Sequence, residues 1–211
     1  MLSVLIATYN WNAFSLVKEL HLQLEKQHIP FEIICIDDAS NSELNTNNEQ
    51  INALKNCSFE TLSKNIGRSA IRNLLAKKSA YNWLLFLDAD VLPTSKNFIN
   101  KYIGETEKNL ASVYLGGISY QEENSNSLRW KLGKKGEEQT AEVRNESPFN
   151  YFFTANFLIQ KSIFETIQFD ESLTKYGYED LLFAKELEQK KVKIKHVDNP
   201  VFHLGIDDNV T

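Results

Sequence analysis

Short, unbroken apolar runs that end on acidic or asparagine residues recur along the first half of the chain. Residues 2–7 are almost wholly apolar and give way to Thr8-Tyr9-Asn10, the pattern of a strand buried on both faces that opens into a polar loop. Ala13, Val17, Leu20 and Leu24 follow at helical spacing and form one apolar stripe, with Lys18, Glu19, Glu25 and Lys26 off it. Pro30 closes the connection. Residues 31–36 form the second apolar run, which stops at Asp37-Asp38-Ala39-Ser40 and an Asn-rich loop reaching about residue 48. Strand, helix and strand at this spacing predict a parallel pair joined by a crossover. The pattern then repeats, with a short helix over 49–55, a weak strand over 59–62, and Asn65-Ile66-Gly67-Arg68 leading a helix through Ile71, Leu74 and Leu75. The third strong strand spans 83–87 and ends in Asp88-Ala89-Asp90, after which Pro93 and Ser95 set up a helix over about 96–107.

Beyond residue 110 the texture changes. Residues 111–119 read as a strand, 121–127 as a polar turn, and 128–147 as a charged, Gly-containing stretch without a clean period. Residues 152–159 are aromatic and β-prone, 178–189 are helical, and 194–204 supply one or two strands around Pro200. No repeat is visible at solenoid or propeller periods. The fold class predicted is α/β: a mainly parallel central sheet flanked by helices, with a smaller mixed region. Residues 1–211 are read as one domain, in which 1–110 form a nucleotide-binding half and 111–211 an acceptor-side half. Three buried strands that release polar residues at their C-terminal ends mark the edge where an open α/β sheet builds its ligand crevice.

Composition narrows the classes. A chain of 211 residues, 42% hydrophobic and 24% charged, is long enough to hide roughly 70% of its unfolded surface. Eight Gly, four Pro, two Cys and thirteen Phe exclude collagen-like, low-complexity and disulfide-scaffold proteins. No apolar run approaches the roughly 20 residues a bilayer span needs, and residues 2–7 lack the basic leader of a secretory signal. A net charge of −5 argues against nucleic acid as a partner. Cys35 and Cys57, without metal spacing, read as reduced thiols, so a cytoplasmic location is expected. Asn56-Cys57-Ser58, Asn145-Glu146-Ser147 and Asn209-Val210-Thr211 match the glycosylation acceptor pattern by chance on this reading.

The candidate chemistry lies at the strand ends. Asp88-Ala89-Asp90 offers two carboxylates where a buried strand meets a loop, an arrangement that suits a hard cation sharing phosphate oxygens, or equally a capped turn before the next helix. Asn65-Ile66-Gly67-Arg68 leads into a helix N-terminus that favours phosphate, with Arg68 as a nearby cation; an ordinary helix start with a solvent-facing Arg reads the same. Asp37 and Asp38 can accept from a base or ribose, while Asp38 and Ser40 can also be turn residues. Glu179-Asp180 opens a helix, where acids complement the dipole. Tyr176, Gly177 and Tyr178 crowd that start as a sugar platform would, and a carboxylate held there can serve as a general base. His203 lies between apolar neighbours, as a core histidine does, and His196 has only that reading.

Taken in order, the segments Ser3-Val4-Leu5-Ile6-Ala7-Thr8-Tyr9-Asn10, Ile36-Asp37-Asp38-Ala39-Ser40, Asn65-Ile66-Gly67-Arg68, Phe86-Leu87-Asp88-Ala89-Asp90 and Tyr178-Glu179-Asp180 resemble glycosyltransferase family 2, with Phe153-Thr154-Ala155-Asn156-Phe157 and His203 besides. The resemblance implies the GT-A fold, a nucleotide-sugar donor with uridine the favoured base, and a divalent metal, Mn²⁺ or Mg²⁺. It places Thr8, Tyr9, Asn10, Asp37, Asp38, Asn65 and Arg68 around the nucleotide. Asp88, Ala89 and Asp90 would hold ribose and metal, with Asp90 the more direct ligand and His203 a late one. Asp180 would be the catalytic base and Glu179 its neighbour that positions the acceptor. The implied reaction is inverting transfer to a hydroxyl of a glycan or lipid-linked saccharide.

The Gln-x-x-Arg-Trp signature of processive synthases is absent after Asp180, and Arg129-Trp130 lies upstream, so single addition is expected over polymerisation. The chain ends eight residues beyond His203, as a catalytic core without closing segments would, and contact with the inner face of a membrane stays open. Residues 115–156 are expected to tune donor choice, and 131–146 to order only when acceptor arrives. The competing readings are a metal-dependent nucleotidyltransferase, disfavoured because residues 2–12 lack a Gly-rich basic loop, and a non-catalytic nucleotide-sugar-binding module.

Overall fold

The structure is a computed structural model that describes residues 1–122, 127–173 and 177–205. Most of the expected turn at 121–127, Tyr176 and the acceptor pattern at Asn209 lie outside the described residues.

The apolar runs become the middle of one sheet. β1 (Leu2–Thr8) lies between β2 (Phe31–Asp37) and β4 (Trp83–Asp88), parallel to both, and β3 (Cys57–Thr61) extends the sheet beyond β2. The full order is β3-β2-β1-β4-β8-β6-β9. β8 (Asn156–Gln160) runs antiparallel to both neighbours, β4 and β6 (Val113–Leu115), while β9 (Ile194–His196) pairs parallel with β6. Both sheet faces are covered, which is why these strands read as continuous apolar runs. Val4 and Ile6 point into a core shared with Leu16, Val17 and Leu20 of α1 (Phe14–Leu24) and with Phe98, Ile99 and Tyr102 of α4 (Phe98–Lys108). Leu5 points the other way. It joins Ile71 and Leu75 of α3 (Arg68–Lys78), Phe164 of α7 (Lys161–Ile167) and Phe183 of α8 (Glu179–Gln189). Stacked pairs Phe86–Phe157 and Phe169–Phe183, with ring centroids 4.8 and 4.3 Å apart, fill that second core.

Three expectations change. The Asn-rich loop contains a helical turn, α2 (Asn45–Asn48), continued by a 3₁₀ turn over Glu49–Ala53. Asn48 anchors it from inside, accepting from the Ala13 amide at 2.9 Å and donating to the Trp11 carbonyl at 3.0 Å. The strand expected over 111–119 is split at Gly116-Gly117 into β6 and β7 (Ile118–Ser119), which belong to different sheets. Gly117 has φ +90°, and a Cβ on Gly116 would meet the Asn199 carbonyl and the Tyr102 hydroxyl, so no side chain fits the bend. The second sheet, ordered β5-β10-β7, joins β7 to β5 (Val91–Pro93) and β10 (Val201–His203).

The charged stretch 128–147, which has no clean period in the sequence, folds into α5 (Leu128–Gly136) and α6 (Ala141–Glu146). Both begin on a hydroxyl cap, Ser127 and Thr140. α6 buries Arg144, whose guanidinium donates to the carbonyls of Leu115, Gly116 and Val197 at 3.0–3.3 Å and meets His196 Nδ1 at 2.9 Å. Burial pushes the His196 imidazole down to about 4, so it stays neutral as Arg144's partner.

Candidate functional site

The register of the parallel strands brings their ends to one edge. Thr8 stands beside Asp37 across β1 and β2, and Ala7 beside Asp88 across β1 and β4. From β1 the chain steps out to β2 and β3, then returns to add β4 on the other side, so the switch point lies at these ends. There a cleft of about 380 Å³ opens, lined by Thr8, Tyr9, Trp11, Asp38, Arg68, Arg72, Asp88, Ala89, Asp90, Arg129, His203 and Gly205 among others.

The small sheet supplies the side of the cleft that sequence order conceals. β10 pairs antiparallel with β5, setting His203 opposite Val91, and Leu204 N–H donates to the Asp90 carbonyl at 2.8 Å. His203 Nε2 thereby comes within 3.8 Å of Asp90 Oδ2, although 113 residues separate the two in the chain. A Cβ on Gly205 would collide with the Asp90 carboxylate, so this approach requires glycine. Burial and the neighbouring Asp88 hold the Asp90 carboxyl above its usual range, and the Arg68 charge partly offsets this. His203 Nδ1 is buried without a hydrogen-bond partner, and the ring stacks on Tyr120 at 5.9 Å. The imidazole edge that faces Asp90 is Nε2, and a carboxylate beside that nitrogen fits a divalent cation, while the unpartnered Nδ1 is the ring's other nitrogen. Among the described residues no cluster of three or more His, Cys, Asp or Glu groups forms a complete cage. The donor set therefore suits an ion that keeps water and phosphate oxygens in its shell.

The two aspartates at the end of β2 have separate tasks. Asp38 spans to the start of α3, where its carboxylate accepts from the Ile66 and Gly67 amides at 2.7 and 2.9 Å. Two amides at the α3 entry, expected to favour phosphate, are thus held by Asp38, which also lines the cleft. Gly67, at φ +86°, makes the turn into Arg68. Asp37 does not reach the cleft: it is fully buried and accepts from the Ser40 amide and hydroxyl at 2.9 and 2.6 Å. The turn role that the sequence allowed to Asp38 and Ser40 falls to Asp37 and Ser40. Asn65 donates to the Asp38 carbonyl and faces a neighbouring groove, and Asn10 is exposed at φ 51° outside the cleft lining.

Asp180 and Glu179 are also absent from the lining of the cleft, and Glu179 is buried. Their link to it is Arg72, a residue the sequence reading did not single out. Arg72 Nη2 donates to Asp88 Oδ1 at 2.9 Å, and Nη1 lies 3.6 Å from Glu179 Oε1. One helical turn after Arg68, it shares that residue's face of α3, and that spacing was the available signal. Burial, with Glu179 adding to it, holds the Asp180 carboxyl above its ordinary range, while the Leu181 amide and Arg72 pull it back. Arg129, also not anticipated as a cleft residue, enters from α5 and pairs with Glu137 at 2.9 Å. No sequence signal marks it, because the helix that carries it had no clean period.

Among the described residues no helix is long and apolar enough to cross a membrane. The fold matches S. aureus TarS residues 1–349 with a TM-score of 0.68 at 21% identity, over 95% of this chain and 59% of that one. TarS in complex with UDP-GlcNAc gives the same score over 98% of this chain and 61% of that one, at 20% identity. The Pyrobaculum calidifontis mannosyltransferase PcManGT, solved with GDP-Man and Mn²⁺, matches at 0.65 and 14% identity over 96% and 56% of the two chains. In sequence, the chain is 24% identical to a hyaluronan synthase and to a chondroitin synthase of Pasteurella multocida, over 88% and 93% of its own length. It spans only 22% and 24% of those relatives. The family profile described as Glycosyl transferase family 2 matches residues 3–168, the span that carries the switch-point strands and the three cleft aspartates, and the chain belongs to that family.

Proposed function

We propose that this chain is a metal-dependent, inverting glycosyltransferase unit that moves a sugar from a nucleotide-sugar, with UDP the favoured carrier, to a hydroxyl of a glycan or lipid-linked saccharide. The observation that carries this reading is the meeting of Asp90 and His203 at the C-terminal end of β4, in a cleft that also holds Asp38, Arg68 and Asp88. Asp38 would accept from the base. Thr8, Tyr9 and Arg68 would border the nucleotide and its phosphates, with Asp88 on the ribose side. Asp37, Asn65 and Asn10 would shape the loops that carry these groups. Asp90 and His203 would hold the cation, which when bound offsets charge developing on the leaving diphosphate. Asp180 takes the proton of the acceptor hydroxyl as that oxygen bonds to the anomeric carbon and the bond to the diphosphate breaks, inverting the centre. A carboxyl held above its ordinary range is the better base for this step, and Glu179 orients the helix start that presents it.

Neighbours solved with UDP-GlcNAc and with GDP-Man support a nucleotide-sugar donor. In this reading the described fold works as one GT-A unit on the cytoplasmic side, at or near the inner face of a membrane where a lipid-linked acceptor would lie. The test is calorimetric titration with UDP, with and without Mn²⁺, on the parent and on Asp90→Ala. Metal-dependent binding abolished by the substitution is expected. Equal binding by both proteins would move the donor site away from Asp90, and binding without sugar transfer to any acceptor would favour a non-catalytic module.

A further inference from the structure

Arg72 is 5% exposed, yet it touches both halves of the proposed chemistry. It rises from α3, donates to Asp88 at the end of β4, and faces Glu179 at the head of α8. Its Nη1 is buried without a hydrogen-bond partner, so the Glu179 contact is an ion contact at 3.6 Å. The guanidinium also lies 5.5 Å from the centre of the Phe169 ring, a flat support that limits its rotation. A buried ion pair is a poor way to add stability, since apolar side chains of similar volume do as well or better. Three elements nevertheless converge on this one cation, and two of them carry the residues assigned above to donor and base.

We propose that Arg72 is a positioning residue that sets the base-bearing start of α8 in register with the donor end of β4 by holding Glu179 and Asp88 on one guanidinium. This inference rests on the transferase reading for what the register is for, but the register itself is a property of the apo protein. A planar fork can hold two carboxylates at fixed relative positions; the point charge of a lysine can hold only one. Arg72→Lys therefore keeps a cation for Asp88 and loses the span to Glu179.

Two measurements on Arg72→Lys, Glu179→Gln and the double variant test it. The first is amide hydrogen exchange of the apo protein. Exchange in the first turn of α8 should rise about 10-fold in each single variant, and no further in the double variant, while β4 stays protected. The second is binding of UDP with Mn²⁺ set against UDP release from UDP-GlcNAc in the presence of saccharide acceptors. Arg72→Lys should bind UDP within about 3-fold of the parent and turn over roughly 10- to 100-fold more slowly, a loss in kcat rather than KM. Unchanged exchange in α8, or additive rises in the double variant, overturns the proposal. So does a fall in UDP binding as large as the fall in turnover, which would make Arg72 a donor ligand. A parent that binds no nucleotide defeats the transferase reading, while the exchange result still decides whether the register exists.

Discussion

The two halves of the chain complete one sheet by opposite means. Residues 1–110 build it from strands whose side chains on both faces are apolar, with Val4, Ile6, Ile33 and Leu85 fully buried. Residues 111–211 finish it with short strands whose placement depends on buried polar groups. Asn156 accepts from Tyr102 Oη at 2.6 Å and donates to Gly117 O and Asn199 O at 3.0 Å, and Arg144 ties α6 to the C-terminal ends of β6 and β9. Apolar burial is non-directional and tolerates small changes, whereas a buried donor must find its acceptor or cost the full desolvation penalty. The first half of the chain therefore rests on a forgiving core and the second half on an exacting one.

The largest expected effect separates the halves by function. Asp180→Asn, in the second half, should lower turnover roughly 10²- to 10⁴-fold while UDP with Mn²⁺ still binds, as calorimetry would register. Loss of binding in this variant would remove Asp180 from the base assignment. In the parent, rate should fall as pH drops through the raised Asp180 pKa, because the protonated carboxyl cannot accept the acceptor proton.

Next in size is the contrast in stability. Arg144→Ala strands at least three carbonyls and His196, and urea denaturation should show a loss of about 3–5 kcal/mol. Ile33→Val in the apolar half should cost only about 1 kcal/mol. If the two losses were equal, the distinction between the halves would fail. Gly117→Ala forces a side chain into φ +90° and against the Arg144 guanidinium, and should cost about 1–3 kcal/mol.

The smallest effect has the opposite sign. Asp90 has a raised carboxyl pKa in the fold, so its contribution favours the native state at low pH and is lost as pH rises through that value. Above that value the ionised group is a liability in the apo protein. Asp90→Asn should therefore raise the metal-free Tm slightly, as thermal unfolding would register. The same substitution should abolish the Mn²⁺ dependence of UDP binding. A lowered Tm would show that the carboxylate is stabilised by contacts rather than strained.

Legibility follows the same division. The strands of the first half could be read because burial on both faces leaves an unbroken apolar run, and the helices between them because each shows a single stripe. Asp38, Asp88 and Asp90 could be placed at the crevice because residues at or just past strand ends in a parallel sheet reach it without help from distant chain, and Arg68 because it opens the helix that follows β3. Asp37 was legible only as one of two adjacent carboxylates; which of them turns outward depends on whether Ser40 or the Ile66 amide lies within reach. The helices over 128–147 were hidden because Arg144, the residue that anchors α6, is charged yet buried and so inverts the hydrophobic signal.

By itself, then, the sequence determined the α/β class, the parallel run of strands and the row of polar residues at their ends, all consequences of local periodicity. Tertiary structure alone decided that Gly116-Gly117 would divide one strand between two sheets and that His203 would meet Asp90. It also decided that Arg72 would face both Asp88 and Glu179. Those are contacts between segments far apart in the chain. Their geometry is set by sheet register and close packing, quantities that periodicity along the chain does not encode.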